Sequence, residues 1–172
     1  MKNLFNFKRD PKILAALLLA MIAATLVYLA FFDILIPNVP DDSYRLAVGS
    51  LFVVPVIILV FGQTIIGGFF LHMLSEAANP KKADFLRALF VAAMMTFLFS
   101  LTYVMFPRYG PFYYIVFVYN IGPWHALPLV VAWTLSAITI NTYLAHKLLG
   151  ISTRLSFIAI ALTYIGIIAA AS

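Results

Sequence analysis

Apolar residues in this chain run on without alternating. Ile13 to Phe32, Leu46 to Leu74, Ala88 to Phe106 and Leu155 to Ala171 are four long apolar stretches interrupted mainly by small or neutral polar residues. A fifth, Phe112 to His146, is too long for one crossing. As a single helix at 1.5 Å per residue it would measure roughly 50 Å, against a bilayer core of about 30 Å. The sequence "NIGPWHALP" at 120–128 divides it. A helix that starts at the Pro123–Pro128 punctuation and ends at "HKLLG" crosses and satisfies its own backbone, with Gly150 near its C-terminal end. Phe112 to Tyr119 is then too short to cross, and is expected to be interfacial or re-entrant. The pattern predicts an all-α integral membrane protein: one domain, a five-transmembrane-helix bundle, with spans at about 13–32, 46–74, 88–106, 125–147 and 155–171.

Charge orients these spans. With five crossings, one side holds Lys2, Lys8, Arg9, Lys12, Lys81, Lys82, Arg87, Lys147 and Arg154, and the other holds only Arg45 and Arg108. Basic residues favour the cytoplasmic side, so the N-terminus is expected to be cytoplasmic and the C-terminus outside. The aromatic residues Tyr109, Phe112, Tyr113, Tyr114, Phe117, Tyr119 and Trp124 then gather at the outer surface, matching an interfacial belt.

Composition agrees with this reading. Hydrophobic residues make up 65% of 172 and charged residues 10%, where soluble domains carry nearer half and a quarter. The net charge of +5 is spread over short loops, so nucleic acid is not an expected partner. The expected partners are the lipid bilayer and either another membrane protein or a second copy of the chain. With no cysteine, disulfides and thiolate chemistry are excluded. The first apolar run is longer than a signal-peptide core and is read as a retained span in a multi-pass protein of the cell membrane.

Candidate chemistry inside the spans is sparse. Aspartate, glutamate, lysine and arginine occur only at span edges, whereas proton relays and intramembrane hydrolases keep such groups at depth. His125 and His146 are twenty-one residues apart, roughly 30 Å along a helix, so the three histidines cannot ligate one metal. His72 and Glu76 share a helical face and, with His146, form a candidate polar cluster at the cytoplasmic face; a polar helix-end cap is the plainer reading. No metal, cofactor or catalytic residue is expected. Gln63, Thr64, Thr134 and Asn141 are candidate bundle-facing polar residues, suited to inter-helix hydrogen bonds or to lining a solute path. Ala16, Ala20 and Ala24 form a small-residue stripe on the first span, and Gly166 with Ala170 does so on the last; both permit close helix approach, within the chain or between chains.

Two segments carry a resemblance. "GGFFLHMLSEAANPKKADFLRALFVAAMMTFLFSL" is a span, a short basic turn, then a helix running into small residues. "WTLSAITINTYLAHKLLGISTRLSFIAIALTYIGIIAA" is a span led by Trp133 that passes through His146–Ser152 directly into the final span. Together, over about residues 60–170, they resemble the Yip domain family of Ypt/Rab-interacting multi-pass membrane proteins and their prokaryotic relatives. The resemblance implies five spans, a cytoplasmic N-terminus and a non-enzymatic scaffold, adaptor or accessory subunit acting through helix–helix contacts. The alternative expectation is a small-solute or lipid transport component, working as an oligomer.

Overall fold

Short polar signals at the helix ends decide where each apolar stretch becomes helical. The computed structural model describes residues 10–35, 42–105 and 123–171. Among the described residues there are five helices and no strand: α1 (Pro11–Leu35), α2 (Asp42–Ala78), α3 (Phe85–Met105), α4 (Pro123–Leu149) and α5 (Thr153–Ala171). The expected segment Phe112–Tyr119 lies outside them.

Asp10 caps α1: its carboxylate accepts from the Lys12 amide at 3.1 Å, and Pro11 takes the first helical position, where no amide is needed. Asp84 does the same for α3, accepting from the Leu86 amide at 2.9 Å. Ser152 starts α5, its hydroxyl accepting from the Leu155 amide at 3.3 Å and its carbonyl from the Ser156 amide at 2.9 Å. α2 ends at Asn79–Pro80, where Asn79 accepts from the amides of Lys82 and Ala83. α4 ends at Gly150, whose φ of +69° is the left-handed conformation glycine adopts without strain. The Gly150 amide donates to the His146 carbonyl at 3.1 Å, closing the αL cap.

α3 is the axis of the bundle. It packs against α1, α2 and α4; α1 also packs on α2, α4 carries α5, and α2 touches α4 only slightly. Two apolar clusters share α3. One joins Leu17, Ala20, Met21, Ala24 and Tyr28 of α1 to Val56 and Val60 of α2 and to Leu86 and Ala93 of α3. The other joins the opposite face of α3 to Ala137, Ile138, Ala145 and Leu149 of α4 and to Ile160 and Tyr164 of α5. Ala20 and Ala24 are therefore spent on packing inside the chain, with Ala24 fully buried. The surroundings of Gly166 lie outside the described side chains.

α2 and α3 approach closely at a glycine pair. A Cβ on Gly67 would stand 3.3 Å from the Ala92 Cβ, and one on Gly68 would stand 2.6 Å from the Leu89 Cδ2 and 3.1 Å from its Cα. Gly62, one turn away, has nothing within 4 Å. The glycines of α2 thus serve contact, and α2 is helical through both Pro55 and the glycines.

Among the described residues two helices are long and apolar enough to cross a membrane, Pro11–Ala30 in α1 and Val53–Ala78 in α2. Only 28% and 22% of their most apolar windows are buried inside the bundle, whereas the core helix of a soluble protein is mostly buried. Leu19, Leu51 and Ile66 are each about two-thirds exposed or more. Shorter apolar helices run over Phe85–Leu101 and Thr153–Tyr164.

Gly68→Ala forces Leu89 and its backbone aside, and is expected to lower stability by about 1–3 kcal/mol. Gly62→Ala is expected to be neutral or to stabilise by up to about 1 kcal/mol, because a helical alanine replaces a glycine in open space. Thermal unfolding of both variants in one detergent checks the pair.

Candidate functional site

One end of the bundle is pinned by hydrogen bonds between turns that are distant in sequence. The Ser75 hydroxyl of α2 donates to the Leu149 carbonyl at 2.7 Å, and both residues are fully buried. The Lys82 side chain lies over Gly150. The 79–84 and 150–152 turns therefore meet at the same end, bringing Lys81, Lys82, Arg87, Lys147 and Arg154 to it. Arg87 lies 3.7 Å from the Asp84 carboxylate, and the Lys147 ammonium donates to the Tyr143 hydroxyl at 3.0 Å while sitting 5.3 Å from its ring centre.

The expected cytoplasmic-face cluster separates here into three environments. His72 is 6% exposed and meets the Phe85 ring edge-on at 5.5 Å, with its Nδ1 buried and without a hydrogen-bond partner among the described residues. Glu76 is exposed. His146 bonds through Nδ1 to the Ile151 carbonyl at 2.8 Å, so that nitrogen carries the proton and the ring braces the α4–α5 turn. Among the described residues no group of three or more histidine, aspartate or glutamate side chains is placed to hold a metal.

At mid-depth α2 and α5 flank α3 without closing on each other. Between them is a cleft of about 250 Å³ lined by Gln63 and Gly67 of α2, Thr96 and Phe99 of α3, and Thr163 and Tyr164 of α5. At 1.5 Å per residue, Thr96 and Tyr164 each lie about 16 Å from the pinned end of their helices. That is half a bilayer core. Most hydroxyls at this level are already satisfied: Thr96 donates to the Ala92 carbonyl at 3.0 Å and Thr163 to that of Ala159 at 2.8 Å. Asn141, fully buried, donates from Nδ2 to the Tyr164 hydroxyl at 3.2 Å, and Tyr164 meets Phe99 edge-on at 5.9 Å. Among the described residues the Gln63 Oε1 is buried with no hydrogen-bond partner, as are the Thr64 hydroxyl and the Asn141 Oδ1.

Of the four bundle-facing polar residues expected from sequence, Gln63 lines this cleft, Asn141 reaches it through Tyr164, and Thr64 is buried on α2. Thr134 is half-buried and does not line the cleft. Sequence reasoning missed Tyr164, Thr96 and Thr163. The available signal was the spacing of Ser156, Ile160 and Tyr164, four apart and all buried, which marks the inner face of α5.

The chain matches no family model, no curated protein and no solved structure, so nothing among known proteins bears on the Yip-domain resemblance.

The Asn141–Tyr164 bond is expected to be worth about 0.6–2 kcal/mol, the range for hydrogen bonds between helices in lipid. A double-mutant cycle over Asn141→Leu and Tyr164→Phe, read by unfolding in detergent, should return a coupling of that size.

Proposed function

We propose that this chain is a non-enzymatic five-span protein of the cell membrane. It holds an apolar or amphipathic small molecule of the lipid-chain class in the lateral cleft between α2, α3 and α5, as a lipid- or solute-handling component. The membrane reading is supported by the two exposed apolar helices and by the gathering of basic residues at one end. The N-terminus and that basic end are cytoplasmic in this reading.

One observation carries the ligand reading. Gln63 lines a cleft whose other polar side chains, Thr96, Thr163 and Tyr164, are hydrogen-bonded within the protein, whereas its own Oε1 is buried without a hydrogen-bond partner among the described residues. An unmade hydrogen bond of this kind costs about 1–3 kcal/mol, and in hydrocarbon no water relieves it. Turning the Gln63 carboxamide toward the cleft brings Oε1 to a ligand hydroxyl or amide N–H, with the ligand's hydrocarbon part along Ile66, Met95 and Phe99. Such convergence of a few polar atoms on an apolar recess is the usual form of a small-molecule site.

A second reading is the Yip-type scaffold or accessory subunit, and Gly62 favours it. The exposed face of α2 around Ile58, Ile65 and Ile66 is notched at this glycine, which leaves room for a helix of a membrane-protein partner or of a second copy.

Mass spectrometry of the protein purified in mild detergent separates the two. The ligand reading expects a hydrophobic molecule to co-purify with the wild type. Thr163→Phe, which fills the cleft, should lower its occupancy about fivefold or more without lowering Tm. Gln63→Leu should preserve the fold and remove the preference for ligands with a hydroxyl or amide. Unchanged occupancy in both variants would defeat this reading. Loss of a protein partner in Gly62→Leu alone would establish the scaffold in its place.

A further inference from the structure

Depth and wall chemistry together decide which class of molecule the cleft between α2, α3 and α5 accepts. Along α3 the cleft runs from Ala92 to Phe99, about 10 to 21 Å from the start of that helix at the basic end. On the membrane-spanning reading, that interval straddles the middle of a bilayer core about 30 Å thick. The cleft then opens sideways among acyl chains, away from headgroup level on either side.

Charged partners are missing at that depth. α2 carries no aspartate, glutamate, lysine or arginine between Arg45 and Glu76, α3 carries none after Arg87, and α5 none after Arg154. By contrast a second cleft of about 640 Å³, between the end of α4 and the start of α5, is bordered by Thr142 and Thr153 and reaches Arg154 at the basic end. An ionised group drawn into the mid-depth cleft would lose its water and find no counter-charge. A phospholipid keeps its phosphate and esters at the interface, so it offers this cleft only a stretch of acyl chain. Such a chain bonds to nothing, and leaves the Gln63 carboxamide unmatched.

Size and shape narrow the class further. The cleft measures about 250 Å³. An apolar cavity of about 150 Å³ takes one benzene ring, so this one takes a single ring with roughly four further heavy atoms. Phe99 and Tyr164 meet with ring centres 5.9 Å apart and planes at 68°, forming an aromatic corner in the cleft wall. Met95 lines the same cleft with its thioether. Both surfaces favour an aromatic ring over a flexible chain.

Hydrogen bonding sets the last feature. The Thr96 and Thr163 hydroxyls are spent on their own helices, and Tyr164 accepts from Asn141. The Gln63 carboxamide, whose Oε1 has no partner among the described residues, is left to turn toward an occupant. One neutral hydroxyl matches it.

The geometry points to a phenol as the occupant: one uncharged ring with small alkyl substituents, packed in the Phe99–Tyr164 corner, its hydroxyl donating to Gln63 Oε1. This assignment rests on the lateral-cleft reading proposed above and names the ligand class for that site.

The test uses the full chain in phosphatidylcholine nanodiscs and probes of one skeleton. These are thymol, p-cymene, which lacks the hydroxyl, and para-isopropylbenzoate, which is ionised at neutral pH. Saturation-transfer NMR reads binding, and the part lost in Thr163→Phe counts as binding in the cleft. Ile66→Trp, at an exposed position on the edge of the cleft, closes the mouth instead should Thr163→Phe not fold. Thymol should bind about fivefold more tightly than p-cymene, the effect of one hydrogen bond. The benzoate should not bind in the cleft. Gln63→Leu should bring thymol down to the level of p-cymene without weakening p-cymene. Equal binding of thymol and p-cymene by wild type, or cleft binding of the benzoate, overturns the phenol assignment. So does any molecule other than a phenol, a phospholipid above all, that co-purifies with wild type and is lost in Thr163→Phe; that outcome keeps the cleft as a ligand site. If no probe and no co-purified molecule responds to either blocking variant, the cleft is no ligand site and the proposed function fails with it.

Discussion

Everything in this bundle leans on the close approach of α2 to α3. Gly67 and Gly68 present bare backbone to Ala92 and Leu89, and at Gly68 there is no room for a methyl group. Because α3 also carries α1 on one flank and α4 on another, its position against α2 fixes the rest of the structure. On the membrane-spanning reading proposed above, burial of apolar side chains between helices gives little net gain, since lipid tails are as apolar as leucine. Shape complementarity and the few available hydrogen bonds must then supply the cohesion. Small residues on α1, α2 and α3 provide the first, with Ala20, Ala24, Ala88 and Ala93 buried at or near the same contacts.

The polar groups follow the same economy. Threonine and serine hydroxyls mostly return to the carbonyl three or four residues back, at Thr25, Thr96, Ser100, Ser136, Thr139 and Thr163, so they are satisfied without a neighbouring helix. The Ser75–Leu149 and Asn141–Tyr164 bonds do cross between helices. One fastens the basic end and the other the middle. Against that background Thr142 and Gln63 stand out, because each residue borders a cleft while its side-chain oxygen is buried without a hydrogen-bond partner among the described residues.

The helices were legible in the sequence because apolar runs, prolines and caps act locally. Pro123 opens α4 and Gly150 closes it where the punctuation implied, while α2 and α3 extend a few residues beyond the apolar runs because Asn79 and Asp84 set their ends. The candidate site was legible only in part. Gln63 and Asn141 stand out as amides in apolar runs, but their partner Tyr164 lies on another helix, and no sequence spacing encodes that meeting. The His72, Glu76 and His146 grouping rested on one helical period and a shared membrane side. The rotation of α2 that buries His72 against Phe85 while leaving Glu76 exposed depends on where α3 packs, which is a tertiary fact. The alanine stripe of α1 was ambiguous for the same reason: a small face permits an approach without naming the helix that makes it.

α5 is the helix through which the two clefts meet. Its first turn supplies Thr153 and Arg154 to the cleft at the basic end, and Thr163 and Tyr164, about two and a half turns further on, wall the cleft at mid-depth. Its backbone packs chiefly on α4, held by the Gly150 turn at one end and the Asn141–Tyr164 bond in the middle. Ile160 and Tyr164 are buried in the core that α5 shares with α3 and α4, so packing along the whole inner face of α5, with the Asn141 bond added to it, fixes both sets of cleft residues on one helix.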